Sequence, residues 1–170
     1  ITTFGIEETK YSLKKPISNN LDAAYCPICN FKLTYSFYHY GHLGSYKCDK
    51  CNYQRKVDFK GSKVDLEKQE MKIQNNKVHL NKPAFFAAYY TLAAYTLCKT
   101  LGLSDNKIKK YLNDEPMPSK RMKELHIDNR LVNMIESKNE NNLSYYEALH
   151  YIREQHTKKT VILGFDNVSR

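Results

Sequence analysis

The chain has 170 residues and a mass of 19.9 kDa, room for one ordinary domain or two small ones. Apolar residues make up 41%, with 14 Tyr and 7 Phe and no Trp, which suits a packed core and argues against a disordered chain. The net charge of +9 is spread evenly, 13 basic against 8 acidic residues in 1–81 and 14 against 10 in 82–170, so no basic stripe or tail marks a nucleic-acid surface. The longest apolar stretch, residues 84–98, is shorter than the roughly 20 residues of a bilayer span. The opening ITTFGIEETK has no basic and apolar run of the secretory kind, so no signal peptide is expected. Position 1 is Ile rather than Met, so the chain reads as a piece of something longer.

Residues 1–23 read as a strand around Thr2, Thr3, Phe4 and Ile6 and then a polar loop. A cysteine module occupies about 24–56. Residues 63–80 predict short strands in which Val64 alternates with Leu66 and Met71 with Ile73, with a tight turn at Asn75-Asn76 before Val78 and Leu80. The next stretch predicts a helix capped by Asn81, opened by Pro83 and ended by Gly102. Phe85, Phe86, Tyr89, Leu92, Ala93, Thr96 and Leu97 recur at helical spacing, and Ala fills the other sides. A helix apolar around most of its girth belongs inside a domain. It needs more partners than residues 1–80 supply, so that domain is expected to begin upstream of Ile1. Ser104 caps a second helix running to Asn113, with Ile108, Tyr111 and Leu112 on one face.

Residues 114–118, Asp-Glu-Pro-Met-Pro, read as a stiff linker. Beyond it, Met122–Ile127 and Leu131–Ile135 predict a hairpin turned at Asp128-Asn129. Ser144-x-x-Glu147 is a capping box for a helix from about Tyr145 to Gln155. Thr160 to Phe165 is apolar throughout, in the manner of a buried parallel strand.

The strongest motif is Cys26-Pro27-Ile28-Cys29 with Cys48-Asp49-Lys50-Cys51, two C-x-x-C pairs separated by 18 residues. This is four-cysteine zinc spacing. Two thiolates on one tight knuckle reach a metal from one side, and a hairpin returns a second knuckle to complete the tetrahedron. Asn30 and Asn52 follow the second cysteine of each pair and tolerate the positive φ that finishes such a turn. Gly41 and Gly44 allow the hairpin return. Leu33, Tyr35, Phe37, Tyr38, Tyr40, Leu43 and Tyr46 supply its small apolar pack. Disulfides call for an exported chain, a thioredoxin-like redox site uses one C-x-x-C, and an iron–sulfur cluster fits knuckle spacing less well. Four cysteine ligands leave no open position, so the site is architectural. His39 and His42 lie between the knuckles and read as surface or hydrogen-bonding residues. Cys98 reads as a small core residue. Aromatics interleaved with Lys leave a second reading open, a zinc ribbon that binds nucleic acid or protein without catalysis.

The pattern Tyr25-Cys26-Pro27-x-Cys29-x3-Leu33-x-Tyr35, then His42-Leu43-Gly44-x-Tyr46-x-Cys48-x2-Cys51-x3-Arg55, resembles the zinc-ribbon insertion of the MurT family, the Mur-ligase-like subunits of lipid II isoglutaminyl synthase. The resemblance implies an α/β fold. Residues 1–113 would be the C-terminal part of a Mur-ligase-type central domain, 114–118 a linker, and 119–170 the start of a Rossmann-like C-terminal α/β domain. It further implies ATP-dependent amidation of the D-glutamate α-carboxylate of lipid II. Ammonia would come from a glutamine amidotransferase partner of the GatD type, at the cytoplasmic face of the membrane. Its cofactors would be structural zinc on Cys26, Cys29, Cys48 and Cys51, with ATP and Mg2+ in the full-length protein. Lys138 and Asn139 match the start of a Lys-Asn-Pro-x-Gly loop near the nucleotide, although Glu140-Asn141-Asn142 replace its end. Arg121-Met122 matches a pair at the domain junction, and Asp166-Asn167 a pair after the next strand. The helix opening Pro83-Ala84-Phe85-Phe86 departs from the family's Asn-x-Tyr-Asn. No G-x-x-x-x-G-K-[ST] phosphate loop occurs in the chain.

Overall fold

The computed structural model of the chain describes residues 1–17, 23–39, 41–114, 122–135, 149, 152–153 and 158–164. The chain divides into two units, Ile1–Lys120 and Arg121–Arg170. In chain order the first carries β1 (Phe4–Ile6), β2 (Leu33–Tyr38), β3 (Gly44–Cys48), β4 (Phe59–Asp65), β5 (Glu70–Ile73), β6 (Asn76–His79), α1 (Phe85–Thr100) and α2 (Asp105–Asp114).

A four-stranded sheet has the order β1-β4-β5-β6. β1 and β4 are parallel neighbours, with Phe4 opposite Phe59 and Ile6 opposite Gly61; the other pairs are antiparallel. A parallel pair needs a crossover, ordinarily a helix. Here the cysteine module takes that place. Its neck is closed by Asp58, whose carboxylate accepts hydrogen bonds from the Thr3 amide and hydroxyl, each at 2.8 Å.

Helix α1 lies against β1, β4 and β5, and α2 against α1 and β6. The core between them is built from Ile6, Val64, Met71, Ile73, Val78, Leu80, Phe85, Tyr89, Leu92, Tyr95 and Ile108. The Tyr95 hydroxyl joins three elements: it donates to Asp105 at 2.8 Å and accepts from Asn76 at 2.9 Å. Burial, with the Asp105 carboxylate beside it, pushes the Tyr95 phenol up to about 12.

Several local expectations shift. The β5–β6 turn is Gln74-Asn75, one residue earlier than expected, because Ile73 pairs with Asn76 and Gln74 takes φ 54°. Strand β4 begins at Phe59, and a bulge between Ser62 and Asp65, with Lys63 at φ 48°, turns both Gly61 and Val64 inward. Helix α1 starts at Phe85 behind an extended Ala84 that makes no side-chain cap, so neither Asn81 nor Pro83 opens it. Gly102 does end it: at φ 84° its amide bonds the Lys99 carbonyl while Leu103 bonds Cys98, a Schellman closure. Leu97 and Tyr111, expected on buried faces, are exposed.

In the second unit, β7 (Met122–Ile127) and β8 (Arg130–Ile135) form the expected hairpin, turned at Asp128 with φ 51°. Residues 149 and 152–153 are helical, within the span predicted as a helix. Residues 160–164 are exposed and form no strand, contrary to expectation. A strand exists by pairing, and none of the described residues offers this segment a ladder. The capping residues Ser144 and Glu147 lie outside the described residues, as do most of the linker and the pair Asp166-Asn167.

Candidate metal centre

Strands β2 and β3 pair antiparallel from Leu33 opposite Cys48 to Tyr38 opposite Gly44. One knuckle leads into β2 and the other leaves β3, so both sit at the same end of the hairpin. In the first, the Cys26 amide bonds the Phe31 carbonyl at 2.8 Å and the Asn30 amide bonds the Cys26 carbonyl at 2.9 Å. Asn30 takes φ 55° as expected, and the Ile28 amide points at the Cys26 sulfur at 3.4 Å. The second knuckle closes with the Cys48 amide on the Tyr53 carbonyl at 2.7 Å. Asn52 is not among the positive-φ residues, so this turn closes without the conformation expected of it. The return strand needs Gly44, since a Cβ there would fall 2.2 Å from the Phe37 carbonyl oxygen.

These turns bring Cys26, Cys29, Cys48 and Cys51 together, with all four sulfurs within 4.8 Å of one another. Sulfur separations are 3.6 Å for Cys26–Cys51, 3.5 Å for Cys29–Cys48 and 3.7 Å for Cys29–Cys51. A tetrahedron with metal–sulfur bonds of about 2.3 Å has edges of about 3.8 Å. The donor set therefore matches the size and chemistry of a tetrahedral thiolate metal site, and the four cysteines can hold a metal ion. They are free thiols, two buried and two half-buried. Burial pushes the Cys48 thiol up, but the amides of Lys50 and Cys51 and its cysteine neighbours outweigh this and bring it down to about 7. Beside the cluster, the Asp49 carboxylate is held below its usual range by the Thr34 hydroxyl and by Lys47 at 3.0 Å.

Cys26, Leu33 and Cys48, with Tyr35, Tyr46 and Tyr53 against them, form a small core separate from the main one. Leu43, expected in this pack, joins the main core instead. Tyr40 lies outside the described residues. Cys98 packs half-buried against the main core, as expected.

The sequence did not reveal how the ribbon is anchored. His39 is 3% exposed, and its Nδ1 lies 2.6 Å from the Tyr89 hydroxyl on α1 while its Nε2 lies 3.0 Å from the Ser12 hydroxyl. Burial, then the nearby Arg55 charge, pushes this imidazole down to about 4. Arg55 donates to the Ile6 carbonyl at 2.9 Å with its guanidinium 5.8 Å from the Phe37 ring centre. A groove of about 440 Å³ opens beside it, lined in part by Glu7, Glu8 and Lys60. Its charges are already engaged, Glu7 with Lys60 at 3.3 Å and Arg55 with Ile6. Lys138 and Asn139, matched to a nucleotide-side loop, lie outside the described residues, as does Arg121.

The class defined here is a mixed α/β segment with a four-cysteine ribbon set between two parallel strands. The pseudomurein peptide ligase type C from Methanothermus fervidus shares this fold, with a TM-score of 0.66 and 24% identity, over 87% of this chain and 30% of that one. At the level of sequence the chain is similar to MurT, the subunit of glutamine-hydrolyzing lipid II isoglutaminyl synthase, from Staphylococcus aureus strains COL and N315. Each is 30% identical over 111 residues, 64% of this chain and 25% of its own length. The chain thus spans about a quarter of the curated relatives it matches, and the resemblance to MurT carried by the ribbon holds. No family model matches the chain.

Proposed function

We propose that the chain is part of a MurT-like ligase subunit that amidates the D-glutamate α-carboxylate of lipid II in peptidoglycan synthesis. The observation that carries this reading is the four-sulfur ribbon at the β1–β4 crossover of a chain 30% identical to MurT.

In this reading Cys26, Cys29, Cys48 and Cys51 hold one structural Zn2+. All four positions are sulfur, so the metal supplies cross-linking and leaves no position for a reacting water. The ribbon residues then serve the reaction by position: His39, Arg55 and the Thr3–Asp58 neck hold the metal-bearing hairpin against the sheet and helix. Amidation proceeds by activation of the carboxylate through phosphoryl transfer from ATP with Mg2+, followed by displacement of the phosphate by ammonia from a GatD-like glutaminase partner. Lys138 would neutralise phosphate charge, and Asn139 would hydrogen-bond the nucleotide or the activated carboxyl. The work would be done in the cytoplasm at the inner face of the membrane.

The test is to assay the full-length protein with its glutaminase partner on lipid II, ATP and glutamine. ATP-dependent loss of one stem-peptide carboxylate charge is the expected result. A zinc-loaded protein that leaves the carboxylate unchanged sinks the reading.

A further inference from the structure

The two ends of the β2–β3 hairpin differ in their surroundings. At the turn end Tyr38 exchanges backbone hydrogen bonds with Leu13 at 2.7 and 2.8 Å, and His39 reaches Tyr89 on α1. The knuckle end lies six residues of β2 away, about 17 Å at strand rise. It keeps its own small core. The hairpin is thus held at one end and presents the metal site at the other.

The first knuckle spends its backbone and sulfurs on the metal site and leaves its other side chains outward. Tyr25 is 60% exposed, Ile28 71% and Phe31 46%. The loop is closed by the Cys26–Phe31 hydrogen bond and the Tyr25–Lys32 bridge, so the three side chains are carried on eight residues. Metal binding requires none of them; at position 28 it uses only the amide. No acidic residue occurs in 23–32, and Lys32 and Lys50 are exposed on the two knuckles. The one carboxylate of the second knuckle, Asp49, is engaged by Thr34 and Lys47.

We propose that this knuckle end is an interfacial anchor for an anionic lipid surface. Tyr25, Ile28 and Phe31 enter the boundary between headgroups and acyl chains, while Lys32 and Lys50 face the lipid phosphates. Charge complementarity and size select this occupant. Three apolar side chains fringed by lysines fall far short of the roughly 800 Å² per partner of a stable protein interface. An aromatic and aliphatic tip with adjacent cations suits the shallow, charged edge of a bilayer. No helix among the described residues is long and apolar enough to cross a membrane. The inference rests on the lipid-linked substrate proposed above: a ligase acting on such a substrate gains from a surface that holds it at the membrane.

The experiment is co-sedimentation of the zinc-loaded chain with vesicles of phosphatidylglycerol and phosphatidylcholine, and with phosphatidylcholine alone. Binding is expected on the anionic vesicles and should weaken with added salt. Ile28→Asp combined with Phe31→Asp should lower the partition coefficient by about tenfold or more. Lys32→Glu with Lys50→Glu should lower it as well, while Lys107→Glu with Lys110→Glu, the same charge change at two exposed positions of α2, should lower it less. Unchanged zinc stoichiometry in each variant shows that the ribbon is folded. Absence of vesicle binding overturns the proposal, as does binding indifferent to the knuckle substitutions. Capture of a protein or RNA by the wild-type knuckle in place of vesicles also overturns it. Amidation of detergent-dispersed lipid II by the full-length protein with its glutaminase partner separates the two readings: activity there without vesicle binding removes the anchor and keeps the ligase.

Discussion

His39 is the residue whose environment differs most from its sequence surroundings. It sits two positions before Gly41 in an exposed hairpin, yet it is buried against Tyr89, fifty residues away. Its pKa falls from 6.5 to about 4, so it is neutral in the folded protein at ordinary pH. Between those values the unfolded chain binds the extra proton, so its contribution to stability is complete above about 6.5 and is lost as pH falls toward 4. The contribution is on the order of 3 kcal/mol. His39→Gln, which keeps hydrogen bonding and does not titrate, should flatten this part of the stability–pH curve; denaturant melts of both proteins at pH 7, 6 and 5 check it. An unchanged slope would mean that the imidazole does not titrate in its buried setting. Gly44 makes a second demand at this scale. Gly44→Ala places a methyl against the Phe37 carbonyl and should destabilise the ribbon by about 1–3 kcal/mol, read as lower zinc retention under chelator challenge.

Among the elements, the strongest patterns were legible. The β7–β8 hairpin, the Gly102 stop, the Ser104 start and the cysteine knuckles each carry a local signal, and the structure places them where that signal points. What failed were features set by tertiary contact. Helix α1 is apolar on nearly every side, so its sequence gave little direction: Leu97 was expected inside and is exposed, while Tyr95, missing from the expected face, is 1% exposed. The bulge broke the alternation of β4 by placing positive φ at Lys63, a residue type that gives no sign of it, rather than at Gly61 in the same strand. The two cores also separate the fates of two elements. Removing zinc, or making Cys26→Ser with Cys48→Ser, should unfold residues 24–56, because that core has little besides its sulfurs and tyrosines. The sheet and α1 keep their own apolar core and should survive. Limited proteolysis should then cut within the ribbon first, with most helical circular dichroism retained. Simultaneous loss of the helical signal would show that the ribbon and the domain fold as one.

At the scale of the molecule, the four-cysteine cluster that can hold a metal could be read from the sequence because C-x-x-C spacing is a local geometric constraint. The anchoring of that cluster could not, because Ser12, His39 and Tyr89 are joined only by the fold. A catalytic centre is a different case. The chain covers 25% of the length of its MurT relatives and has no phosphate-loop motif, while the net charge of +9 is divided between its halves without a focus. Binding energy for a nucleotide has to come from converging donors, such as backbone amides cradling phosphates. Among the described residues the groove at the ribbon neck offers instead an arginine and a lysine already engaged by a carbonyl and a carboxylate. The purified chain should therefore bind one zinc per molecule and show no ATP turnover above a protein-free blank, measured by metal analysis and phosphate release on the same preparation. ATP hydrolysis that persists at constant specific activity through further purification would place nucleotide chemistry within these 170 residues, and the metal ribbon would then have to be reread as part of a working active site.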